Sequence, residues 1–172
     1  MPTVRRQTYG KFGVALKGLE ELSRQIARDG EVWQRVQQAA VKGMTENTED
    51  LLGRAMRDAP VDEGTLRASG HAAVYANGRA VARGGFHEVG SEPVESPEHL
   101  EMQERRAIHE GGLGDAVVGE VGFNTPYALV QHERLDFNHP KGGKAKYLED
   151  NLKEQADRYQ GNLNDHLRGA LT

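Results

Sequence analysis

Apolar residues recur every three or four positions between Trp33 and Ala55. Trp33, Val36, Ala40, Met44, Leu51 and Ala55 share one stripe, and Thr48 is its polar member. That is the period of an amphipathic helix, so a long helix is expected over Glu31 to Asp58. Ala39, Ala40, Gly43 and Ala55 lie on or beside the stripe, which predicts close packing against it. Glu31 suits the positive end of the helix dipole. Pro60 ends the helix, because a proline pushes its predecessor out of the helical region. A shorter helix is expected upstream over Val14 to Ala27, from Leu16, Leu19, Leu22 and Ile26, with Asp29-Gly30 as its break. The last helix is expected over Tyr147 to Leu167, where Leu148, Leu152, Ala156, Tyr159, Leu163 and Leu167 form one stripe.

Between the helices the pattern shortens. Asp62-Glu63-Gly64-Thr65 reads as a turn, since Asp bonds its own downstream backbone and Gly supplies positive φ. Leu66 to Tyr75 leads into a strand, Ala76 to Arg79 is a hairpin turn around Asn-Gly, and Ala80 to Arg83 is the partner strand. Ala116 to Phe123 is a further strand, followed by an Asn124-Thr125-Pro126 turn. Tyr127 to His132 fits a short helix or an irregular strand. Leu135 to Lys146 is a loop containing Pro140 and Gly142-Gly143.

The expected fold is α+β, with the long helix packed on a small antiparallel sheet. A length of 172 residues suits a single domain. Residues 1–15, with Arg5, Arg6 and Lys11, read as a flexible basic arm. A sheet of three or four short strands leaves open edges, through which subunits could pair.

Charge adds one feature. The formal net charge is −4, which argues against a dedicated nucleic-acid binder. Gly85 to Glu120 alone holds nine acidic residues against Arg105 and Arg106, a net of −7. The segment 84–115 is rich in Gly and Glu and is expected as a long acidic insertion between strands. Ser96 to His109 could form a helix within it. Apolar residues make up 37% of the chain and charged ones 28%, the profile of a thin core with much polar surface. Cysteine is absent, which excludes disulfides, thiolate metal sites and cysteine nucleophiles. No apolar run approaches the ~20 residues of a membrane span, and the N-terminus has no apolar stretch of the signal-peptide kind.

His132, Glu133, Asp136 and His139 are the best candidates for metal or acid–base chemistry. Their spacing matches no compact zinc motif, because position 136 holds Asp where His-Glu-x-x-His needs a second His. The favoured reading is hydrogen bonding that fixes the loop around Pro140. Lys141-Gly142-Gly143-Lys144 lacks phosphate-loop spacing and follows no strand. No catalytic residue, cofactor or metal is expected.

Two segments carry a resemblance. One is Ala59-Pro60-Val61-Asp62 with Gly64, Leu66, Arg67 and Ser69, directly after the long helix. The other is Gly122-Phe123-Asn124, Pro126-Tyr127-Ala128 and Gln131-His132-Glu133 through to Tyr147-Leu148-Glu149. Together they resemble the small neck proteins of long-tailed DNA bacteriophages, the tail-completion or head–tail joining family. The insertion at 84–115 departs from that pattern, since many such proteins join these strands by a shorter loop. The resemblance implies a non-enzymatic virion protein at the head–tail joint, assembled in the host cytoplasm. It implies a ring, often of six subunits, between connector and tail-tube proteins. Genomic DNA would pass through the lumen without sequence-specific binding, and no membrane is involved.

On this reading the turn at Asp62 to Arg67 and the loop at Pro126 to Lys144 are interface elements. The candidate interface residues are Asp62, Gly64, Leu66, Arg67, Asn124, Pro126, Tyr127, His132, Glu133, His139 and Tyr147. The acidic insertion is expected to face the channel or a basic partner. Two alternatives stand beside this reading. One is a minor capsid or tail component, and the other a small metal-dependent hydrolase using His132, Glu133 and His139.

Overall fold

The structure, a computed structural model, describes residues 3–6, 12–15, 30–61, 64–77, 79–84 and 117–172. Its elements are β1 (Thr3–Arg6), β2 (Phe12–Ala15), α1 (Gly30–Asp58), α2 (Thr65–Ala68), β3 (Gly70–Ala76), β4 (Arg79–Gly84), β5 (Val117–Phe123), α3 (Ala128–Glu133) and α4 (Glu149–Leu171). The expected insertion lies outside the described residues apart from Gly84. The expected helix over Val14 to Ala27 also lies outside them, except that Val14 and Ala15 belong to β2.

The class is α+β. The strands form one antiparallel sheet in the order β1-β2-β5-β3-β4. Within residues 1–15, read as a flexible arm, Thr3–Arg6 and Phe12–Ala15 pair with each other and Phe12–Ala15 pairs with β5; the rest of that stretch lies outside the described residues. Basic side chains at Arg5 and Arg6 suggested a solvated tail. Strand pairing uses backbone groups, so charged residues at a sheet edge are compatible with it.

Residues 72, 74 and 76 of β3 lie opposite 121, 119 and 117 of β5. This face meets α1. Ala40, Met44, Val74, Ala76 and Val117 form one buried cluster. Leu51, Leu52, Ala55, Met56, Leu66, Ala72, Val121, Phe123, Tyr147, Leu148 and Leu152 belong to the other. A Cβ at Gly119 would stand 2.5 Å from Thr48 Cγ2 and 2.7 Å from Met44 Sδ. The absence of that carbon lets α1 lie against the sheet. Thr48, the polar member of the stripe, bonds the Thr45 carbonyl at 3.0 Å and turns its methyl to this contact.

The expected strand from Leu66 instead begins at Gly70, because 65–68 make one helical turn. Leu66 within that turn is buried. Asn77 at the hairpin has φ 53°, the left-handed value that favours Asn-Gly turns. Val74 and Tyr75 pair with Ala82 and Ala80, a bulge that leaves Val81 outside the register. α4 packs along α1. Among the described residues no helix is long and apolar enough to cross a membrane.

Candidate functional site

The two segments that carry the resemblance meet in space, at the C-terminal end of α1. A helix end leaves its last carbonyls without intrahelical partners. Arg67 supplies donors to them: its Nε bonds Ala59 O at 3.1 Å, and one Nη bonds Arg57 O at 2.8 Å and Ala59 O at 3.0 Å. The single turn of α2, entered at Gly64 with φ 84°, places Arg67 back over α1. Ser69 then ties the turn to the end of β5, since the Asn124 N–H reaches Ser69 O at 3.3 Å and Oγ at 3.2 Å.

The 134–148 loop closes the other side. Val61 N–H donates to Gly142 O at 3.0 Å, and Lys144 N–H donates to Asp58 O at 2.8 Å. Gly142 and Gly143 have φ of 98° and 97°. A Cβ on Gly143 would fall 2.4 Å from Pro60 Cα and 2.5 Å from Ala59 O, so only glycine admits this approach. Asn151 joins in from α4, donating to Asp58 Oδ2 at 2.8 Å and Tyr147 O at 2.7 Å.

Tyr147 is the buried pivot. Its ring meets Phe123 edge-on at 5.0 Å and His132 at 4.9 Å, a geometry that aromatic pairs prefer. Its hydroxyl donates to Ala128 O at 3.2 Å, and burial pushes its ionisation upward. His132, also buried, accepts the Glu149 N–H at Nε2 (3.3 Å) and faces Glu133 Oε1 with Nδ1 (3.1 Å). Lys146, at φ 57°, bridges Glu133 at 2.6 Å and Glu149 at 2.9 Å. Hydrogen bonds from Lys153 and Lys146 hold the Glu149 carboxyl at about 2.

Of the other members of the His132–His139 cluster, Asp136 is spent elsewhere. Asp136 takes both prongs of Arg134 at 2.7 Å, which holds its carboxyl at about 2. His139 offers its carbonyl to the Gly142 N–H. Among the described residues no group of three or more His, Asp and Glu is placed to hold a metal.

The candidate interface residues therefore divide. Leu66, Arg67, His132, Glu133 and Tyr147 act within the chain, as core, cap or ion pair. Gly64 and Asn124 shape turns. Asp62 lies outside the described residues. Tyr127 and Pro126 face solvent. Sequence reasoning missed the neighbours of Tyr127: Val130, Leu135 and Phe137 are also exposed, Leu135 at 76%. The Arg134 guanidinium lies 4.7 Å over the Phe137 ring. Tyr127 and Val130 stand three residues apart at α3, hence on one face. The available signal was five large apolar residues, Leu129 included, in the eleven residues 127–137.

A second polar group lies along α1 and α4. Asp50 accepts from Arg54 (2.7 Å), the Tyr159 hydroxyl (2.8 Å) and Arg158. Burial opposes its ionisation, but these donors outweigh it and its carboxyl sits below the usual range. Asn162 bonds Asn47 at 3.0 Å, and His166 bonds Glu46 at 2.8 Å.

No protein-family model, no curated protein and no solved structure matches this chain at a significant level.

Proposed function

We propose that this chain is a structural subunit of the neck of a tailed bacteriophage particle. Copies would form a ring, expected to be sixfold, that joins the connector to the tail and lets the genome pass. The observation that carries the proposal is the convergence of the two resemblance segments on one closed junction. Arg67, His132 and Asn151 at this junction bond backbone groups. The side chains it turns outward at Tyr127, Val130, Leu135 and Phe137 are large and apolar. Exposed apolar groups beside a rigid frame suit subunit contact better than catalysis. The sheet offers a second contact: among the described residues β4 is an edge strand, with Arg79, Val81 and Arg83 exposed. The mechanism is geometric, with no catalytic step.

The test is electron microscopy of whole particles with this protein located by density or label. A ring at the head–tail joint is the expected result. Density over the capsid or along the tail would place it elsewhere in the virion and reject the joint. Absence from particles would overturn the reading altogether.

A further inference from the structure

His132 sits where three segments meet: the end of α3, the Lys146–Leu148 stretch and the start of α4. Its side chain is 3% exposed. The Glu149 backbone N–H can only donate, so Nε2, 3.3 Å away, must be unprotonated. The ring's single proton is then on Nδ1, which faces Glu133 Oε1 at 3.1 Å. One neutral tautomer satisfies both contacts. α4 starts at Leu148 without a side-chain cap, and the His132 imidazole serves its first turn in that role. The His132 carbonyl accepts the Lys146 N–H at 2.8 Å, so the same residue also holds the end of the loop.

We propose that His132 is an acid-sensitive latch: a solvent proton taken up at Nε2 breaks the bond to the Glu149 N–H and loosens the start of α4. A protonated Nε2 would point a donor at a donor, at the positive end of a helix dipole. The groups facing the ring are Glu133 on its own helix, Lys146 from the loop, Glu149 from α4 and the Tyr147 ring. The two carboxylates favour a charged ring; Lys146 and, above all, burial oppose it. Burial wins, and the ring titrates below the ordinary 6.5. The sign follows from linkage. Unfolded His132 would take its proton near 6.5, and the folded ring resists. The stability it contributes is complete above 6.5 and is lost as pH falls below that toward the depressed folded value. Glu149 and Asp136, each held at about 2, stay ionised throughout this window. The latch stands independently of the ring reading.

The test is amide exchange on the full chain at about pH 7 and about pH 5, corrected for intrinsic rates. Protection of the amides from Lys146 to Asn151 should fall about tenfold. His132→Gln keeps an acceptor for the Glu149 N–H but does not titrate, so it should lose this dependence. His166→Gln should retain it. An undiminished fall in His132→Gln, or none in the native chain, would overturn the latch. Nitrogen-15 shifts of the native His132 ring decide the matter even if the variant does not fold. A protonated Nδ1 at neutral pH and a midpoint below 6.5 that tracks the loss of protection are expected. An Nε2–H tautomer, or a midpoint at or above 6.5, would refute it.

Discussion

The junction at the end of α1 and the contact between α1 and α4 use polar side chains in opposite ways. At the junction, Arg67, Ser69, Asn151 and His132 bond backbone groups. Along the two helices, Asp50, Asn162 and Glu46 meet other side chains, several of them half-exposed. Removing a junction side chain strands a carbonyl or N–H near the core, and a stranded buried group costs its full desolvation. Removing a helix–helix partner lets water take its place, because exposed pairs contribute little. The junction therefore specifies the fold, and the helix contact trims it.

Three substitutions grade this contrast. The largest effect is expected from Gly143→Ala. It forces a side chain into a left-handed backbone and against Pro60 and Ala59 at 2.4–2.5 Å. The cost should be about 3 kcal/mol or more, read by urea unfolding. Next is Arg67→Met, which keeps the aliphatic stem but removes the donors to Arg57 O and Ala59 O. A loss of about 2 kcal/mol is expected, together with faster amide exchange at the end of α1. The smallest is Asn162→Ala on the helix contact, at about 0.5 kcal/mol in the same unfolding assay. Asn162 costing as much as Arg67 would break the contrast; a clean gradient would sharpen it.

Much of the helical frame was legible because its signal is local. The stripe from Trp33 to Ala55 and the stop at Pro60 predicted α1 to within a residue or so of Gly30–Asp58. The apolar stripe from Leu148 predicted α4, though the helix runs on to Leu171. β5 and the Asn77 turn followed from alternation and turn chemistry. The turn of α2 was missed, because four residues are too few for a period to register. β1 and β2 were missed because strands of four residues are too short for an alternation to register, and Val14 and Ala15 of β2 were read as the start of a helix. The candidate site was legible as a set of residues but not as an arrangement. Arg67 and His132 were singled out as contacts for partners, yet their side chains turn inward. Nothing in their spacing says that one caps α1 and the other serves α4.

By itself the sequence determined the bounds of α1, the existence and apolar face of α4, the α+β class and the absence of thiol chemistry. Those properties depend on neighbours three or four positions away. Only the tertiary structure decided that Ala59-Pro60 meets Gly142-Gly143, that Arg67 reaches α1, and that Tyr147 and His132 are buried together. Those contacts join residues far apart in the chain. They form because helix ends and loop backbones need partners that local structure does not provide.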